Sequence, residues 1–312
     1  MDLRIFTEPQ QGATYDDLLA AATAPEAGGF SALFRSDHFT NPTPPDEESL
    51  ELWVSLAWLA SHTERIEFGP LVTPMSFRHP VWTARMGKDV DDLSGGRLVL
   101  GVGAGWQERE HEMFGFDLLD VSERLDRFEE GVEVIHRLLH DEERVTFHGE
   151  YFHLQDAVLL PRPQREGGPP LLIGGNGENR TLPLAARLAD EWNGVFLTPA
   201  RARALNQRLD ELLEQEGRAP GDVRRSLMTN VLFGRDDADM RERLRQRGAD
   251  PDKDLDDIRA NGNVVGTANE IVDQLGALAE AGMQRVMLQW LDLDDMDGLA
   301  AMAAGVLPQL AA

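Results

Sequence analysis

Apolar residues along this chain recur in two alternating ways. Short, nearly continuous apolar runs occupy residues 3–6, 32–35, 66–72, 98–102, 171–173, 192–196, 227–232 and 285–288. Their length and lack of polar alternation predict strands buried on both faces, the mark of a parallel sheet. Between them lie longer segments in which apolar residues return every three or four positions. These predict helices over 14–27 (Leu18, Leu19, Ala22), about 48–62 (Trp53, Ala57, Ala60) and 81–93. A long helix capped by Ser122 follows (Leu125, Phe128, Val132, Ile135, Leu139), then one through Ala185, Ala186 and Leu188. Thr198-Pro199 reads as a cap followed by proline at the first helical position, opening a helix with Leu205, Leu209, Leu212 and Leu213. Thr267 to Glu270 is a capping box for a helix that stops at Gly282, and a last helix spans about 296–310.

Two stretches break the rhythm. Residues 144–168 read as a hairpin turning at Gly149-Glu150 followed by a proline-rich connector, and 250–263 reads as a polar loop long enough to be mobile. Gly69-Pro70 inside the third run implies a bulge or bend, because proline cannot donate to a ladder. About eight strand–helix pairs predict an α/β fold, a (β/α)8 TIM barrel formed by a single domain over 1–312, with 144–168 inserted after the fourth β/α unit.

Charge narrows the partners. The 55 acidic residues outweigh 30 basic ones for a net charge of -25, which argues against nucleic acid and anionic membranes. Lys88 and Lys253 are the lysines, and the absence of cysteine removes disulfides, thiolate metal sites and a cysteine nucleophile. No run is long enough to span a bilayer, and the charged first strand does not read as a signal peptide, so a cytoplasmic location is expected.

In a parallel barrel the chemistry sits on the loops at the strands' carboxyl ends. Collecting those ends gives Glu8, Asp37 and His38, Thr73, the run Gly103-Ala104-Gly105-Trp106, the run Gly174-Gly175-Asn176-Gly177, and Thr198. His38 is suited to exchange a proton near neutral pH. The glycines allow close approach to the backbone, and Trp106 offers a flat apolar wall. The turn from Gly174 to Gly177 before a helix is a candidate anion cradle. Other readings fall away. The spacing after residue 102 is wrong for a dinucleotide fingerprint, and Ser36-Asp37-His38 matches a hydrolytic triad in composition only. His136 and His140, one helical turn apart, have no accompanying carboxylate for a metal, and none is expected.

Taken together the residues resemble the luciferase-like family of flavin- and deazaflavin-dependent oxidoreductases. The resemblance runs through Ser36-Asp37-His38-Phe39, residues 63–69, residues 92–97, residues 100–105, Glu110 with Phe114-Gly115, residues 161–163, and residues 173–175 with 189–193. It looks most like the branch that uses coenzyme F420, with an FMN monooxygenase fed by a partner reductase as the alternative and a non-catalytic flavin-binding barrel as a third. The resemblance implies a non-proline cis peptide within 69–72, under the cofactor ring, so that Pro70, Leu71, Val72 and Thr73 join Gly103, Ala104 and Gly105 in holding it. It also implies that Asp37 and His38 contact ring and substrate, that the phosphate tail lies near Gly174, Gly175, Asn176 and Gly177, and that Glu8 is a catalytic acid. Trp106, with Thr198, is expected to face a small organic substrate, apolar or aromatic. Where the family's sugar-phosphate enzymes carry a glutamate this chain has Trp106, and their phosphate-holding lysines are missing. A homodimer is expected, and Trp53 and Trp58 read equally as interface or as core residues.

Overall fold

The computed structural model describes residues 1–310, so the last two residues of the expected 1–312 domain lie outside it. In chain order the elements are β1 (Asp2–Thr7), α1 (Tyr15–Gly28), β2 (Ala32–Arg35), α2 (Leu52–His62), β3 (Glu67–Pro70), β4 (Thr73–Pro74), α3 (Pro80–Ser94), β5 (Leu100–Gly103), α4 (Glu108–Phe114) and α5 (Val121–His140). The hairpin β6 (Val145–His148) and β7 (His153–Ala157) follows, then β8 (Leu171–Gly174), α6 (Thr181–Leu188), β9 (Glu191–Val195) and α7 (Pro199–Gln215). The chain continues through β10 (Arg224–Phe233), α8 (Asp237–Gln246), α9 (Leu255–Ala260), β11 (Val264–Gly266), α10 (Ala268–Glu280), β12 (Arg285–Gln289) and α11 (Met296–Leu310).

The main sheet runs β3-β2-β1-β12-β10-β9-β8-β5-β4 with every pairing parallel, and β11 extends β10. Because β3 and β4 are two pieces of the third run, these nine strands make eight staves, and a parallel bridge from Phe68 to Leu98 closes the ring. This is the expected TIM barrel. Alternation sorts its side chains. Phe6, Ala32, Phe34, Leu71, Val99, Leu172 and Met287 form an inner cluster. Their neighbours Ile5, Leu33, Leu98, Leu100, Leu171, Ile173, Val286 and Leu288 face outward into the larger core beneath the helices.

Closure explains the break in the third run. A Cβ on Gly69 would stand 2.0 Å from the Val99 carbonyl oxygen, and one on Gly101 would stand 2.1 Å from that of Pro70. Only glycine lets these backbones come so close. Between β3 and β4 the Leu71–Val72 peptide is cis, within the expected 69–72 stretch.

Several expectations are corrected. The long helix α5 is capped by Asp120, whose carboxylate accepts from the amides of Ser122 and Glu123, because a charged oxygen captures two amides where a hydroxyl takes one. The polar stretch 250–263 contains the helical turn α9, tied down by Arg259, which donates to the Val265 carbonyl and Glu270. Trp53 is core, and Trp58 is half-buried against Tyr15 and His62, so neither stands out as a free interface side chain. Helix α4, missed in the sequence, spans only two turns.

Gly101→Ala is expected to destabilise the fold by about 1–3 kcal/mol through backbone overlap. Gly276→Ala, on α10 with open space around its Cβ position, is the control and is expected to be neutral or stabilising by up to about 1 kcal/mol. Chemical denaturation of both variants checks this, and equal stabilities would contradict the close-approach argument.

Candidate active site

At the carboxyl ends of the staves the barrel opens into a cavity of about 510 Å³, within the roughly 300–1,000 Å³ common for small-molecule sites. Its lining follows from strand alternation. Inward positions continue upward from Phe6 to Glu8, from Phe34 to Ser36, from Asn193 to Val195 and from Met287 to Gln289, and the cavity is lined by Phe6, Glu8, Ser36, Asn193, Val195 and Gln289. Across from β12 and β1 the staves β4, β5 and β8 offer a wall nearly free of side chains, made by Leu71, Val72, Gly103, Ala104 and Gly174. A Cβ on Gly103 would meet Val72 Cγ2 at 2.4 Å, and one on Gly174 would meet Val72 Cγ1 at 3.1 Å. The mouth therefore has a flat apolar side and a polar side.

His38 is the best-placed proton carrier. Its Nδ1 lies 2.8 Å from Glu110 Oε1, and the other Glu110 oxygen accepts the Phe39 amide at 2.9 Å. Glu110 is 1% exposed and His38 14%. A carboxylate only accepts, so the pair places the ring proton on Nδ1 and leaves Nε2 without a partner among the described residues. Burial disfavours the charged ring, yet the Glu110 hydrogen bond and the charges of Glu110, Glu8 and Asp37 outweigh it, so the His38 pKa stands above its ordinary 6.5. Burial likewise raises the Glu8 carboxyl above its ordinary 4.5, opposed by the His38 charge and by hydrogen bonds from Gln11 and Gln10. Two neighbouring groups thus both retain protons more strongly than in water.

Of the residues singled out in the sequence, the fold brings Glu8, His38, Leu71, Val72, Gly103, Ala104, Gly105, Trp106, Gly174 and Gly175 to this cavity. Six others lie off its lining. Asp37, one position out of phase with Ser36, turns away to accept from Thr73 Oγ1 at 2.8 Å and to pair with Arg78. Pro70 ends β3 with its carbonyl against Gly101, and Thr73 opens β4 and donates to Asp37. Asn176 is spent on the Val195 backbone, donating to its carbonyl and accepting its amide. Gly177 continues that turn, and Thr198 caps α7 by accepting the Arg201 amide.

Sequence reasoning did not assign Glu110, Asn193, Phe196 or Gln289 to the site. Strand parity alone would have found Gln289; Glu110 needed the short helix α4. Among the described residues no cluster of three or more His, Asp or Glu side chains is set to hold a metal. His136 and His140 stack on the outer helix α5 with ring centroids 4.2 Å apart, and burial pushes His136 down to about 4. No helix is long and apolar enough to cross a membrane.

A sequence profile for the luciferase-like monooxygenases matches residues 1–285. The chain belongs to this family. It is 31% identical over 230 residues to an F420-dependent glucose-6-phosphate dehydrogenase of Kineococcus radiotolerans, covering 72% of this chain and 66% of that one. It is 34% identical over 179 residues to an F420-dependent hydroxymycolic acid dehydrogenase of Mycobacterium tuberculosis, covering 57% of this chain and 48% of that one. The chain thus spans less than two thirds of the length of these relatives. A solved F420-dependent secondary alcohol dehydrogenase shares the fold, with a TM-score of 0.83 at 22% identity over 98% of both chains.

Glu110→Gln is expected to keep a hydrogen-bonding partner at His38 Nδ1 while removing the charge that favours the imidazolium, so His38 titrates at lower pH than in the parent. In the parent the raised native pKa means that this pair adds stability below about pH 6.5 that fades as pH rises through the native value, and the variant loses that contribution. An NMR titration of the His38 ring checks it; an unmoved curve would show that Glu110 does not set the proton affinity.

Proposed function

We propose that this protein is an oxidoreductase that transfers hydride between coenzyme F420 and an organic substrate, with His38 as the proton carrier. The observation that carries the reading is the His38–Glu110 pair, which fixes one ring nitrogen and leaves the other free at a cavity with a flat wall. The two F420-dependent relatives support the choice of cofactor.

The residues present fit a planar tricyclic ring. Leu71, Val72, Gly103, Ala104 and Gly174 make a surface that Cβ atoms at the glycines would disrupt, between Pro70 at the end of β3 and Thr73 at the start of β4. The turn Gly175-Asn176-Gly177 leads from the cavity edge to the start of α6, where backbone amides suit an anionic tail. F420 supplies a two-electron hydride carrier. His38 Nε2 takes the proton of a hydroxyl during oxidation and returns it during reduction, Glu110 steadies the imidazolium, and Asp37 acts from behind by holding Arg78 and Thr73. Glu8 is a second proton-bearing group on the polar side. A reductase partner belongs only to the FMN alternative, which a 4-hydroxyprotoasukamycin monooxygenase of Streptomyces nodosus subsp. asukaensis, 34% identical over 54% of this chain and 43% of that one, keeps in view. A cytoplasmic homodimer is part of the same reading, its contact face on α2 and α3 where Val54 and Trp82 are exposed.

Side-by-side fluorescence titrations with F420 and FMN test the cofactor: binding of F420 with FMN at least about 10-fold weaker is expected, and the reverse order would move the protein to oxygen-inserting chemistry. His38→Ala is expected to lower turnover by about 10²–10⁴-fold while leaving F420 affinity nearly unchanged. In the parent, alcohol oxidation is expected to rise with pH through the raised His38 pKa and carbonyl reduction to fall, because the two directions need opposite protonation states. A flat profile, or normal turnover in the variant, would remove His38 from its role.

A further inference from the structure

The charge of the cavity constrains what enters it. Glu8 and Glu110 contribute to the lining, and no arginine or lysine does. Four guanidiniums on the surrounding elements are engaged in ion pairs: Arg78 with Asp37 and Glu51, Arg109 with Asp46, Arg180 with Asp126 and Glu129, Arg201 with Glu178. An anionic substrate in this space would be stripped of water beside two carboxyl groups, and the cationic group on the lining, the protonated His38 ring, is already paired with Glu110. Desolvation and repulsion both oppose it.

What the lining offers instead is neutral. Gln289 points inward from the end of β12, is 8% exposed, and its carboxamide makes no hydrogen bond among the described residues. That carboxamide faces the cavity with donor and acceptor both free for a ligand's hydroxyl or carbonyl. On the rim Trp106 is 60% exposed and stands edge-on to the His38 ring, with centroids 5.7 Å apart at 84°. Phe196, 41% exposed, holds a left-handed φ of 51°, a conformation that bulky residues rarely accept, and presents its side chain to the cavity. Two exposed aromatic side chains at an apolar opening, one touching the proton carrier, form a surface that gains by covering with an uncharged apolar group.

Building on the hydride-transfer reading, we propose that the substrate is an uncharged, largely apolar alcohol or the matching carbonyl compound, covered by Trp106 and Phe196, and that phosphorylated sugars are excluded. Oxidation of such an alcohol breaks one C–H and one O–H bond and forms the carbonyl; the proton goes to His38 Nε2 and the hydride to oxidised F420. The substrate class therefore differs from that in the name of the Kineococcus relative.

The test uses the full chain loaded with F420 and the probes 1-phenylethanol, acetophenone and glucose 6-phosphate. Binding is followed by ligand-observed NMR, and turnover by F420 absorbance with 1-phenylethanol and glucose 6-phosphate as reductants. Binding of the neutral pair, with kcat/KM for 1-phenylethanol about 100-fold or more above that for glucose 6-phosphate, is expected. Trp106→Ala is expected to raise KM for 1-phenylethanol about 10-fold with F420 affinity within about 2-fold of the parent. Glucose 6-phosphate binding as well as the neutral pair, failure of the neutral pair to bind, or an unchanged KM in the variant would overturn the proposal. Failure to bind F420 would instead overturn the hydride-transfer reading, and the NMR comparison on the same protein would still decide between neutral and anionic ligands.

Discussion

A ring of eight parallel staves has room inside for only every second side chain, and that limit organises this molecule. Phe6, Phe34, Leu172 and Met287 fill the middle of the barrel. One step further along the same staves, the inward positions carry Glu8, Ser36 and Gln289 instead, and they meet a cavity rather than one another. The same alternation turns Asp37 away from the opening and into a pair with Arg78. Where two staves must come closer than side chains allow, at Gly69 and Gly101, the chain uses glycine.

The site inherits its character from this packing. Closure at the third stave brings Leu71 and Val72 beside Gly103 and Gly174, so that one side of the mouth is flat and apolar. The opposite side is polar, and burial there makes every charge matter. His38 holds its proton above the ordinary range because carboxylates surround it, and Glu8 holds its own because water is largely excluded. A chain with a net charge of -25 thus encloses a site whose acid–base behaviour depends on a few particular neighbours rather than on the overall charge.

Much of the barrel was legible in the chain, because apolar periodicity reports how each segment meets its immediate surroundings. The strand–helix alternation, the capping box at Thr267 and the hairpin from 145 to 157 all depend on residues near one another in sequence. Asp120 and not Ser122 is the cap because the helix starts one residue after Asp120, whose carboxylate takes the amides of Ser122 and Glu123, leaving Ser122 inside the first turn. The helical turn α9 was hidden in a polar stretch whose anchors, the Val265 carbonyl and Glu270, lie further along the chain.

By itself the sequence determined the fold class, the carboxyl ends of the strands as the place to look for the site, and His38 as the candidate proton carrier there. Those follow from local patterning and from the intrinsic pKa of imidazole. Only the tertiary structure decided that Glu110, 72 positions away, grips His38. It also decided that Asp37 and Thr198 serve the scaffold while Gln289 and Phe196 face the cavity. The reason is geometric: direction and partnership across the barrel depend on stave register and closure, which no segment carries alone.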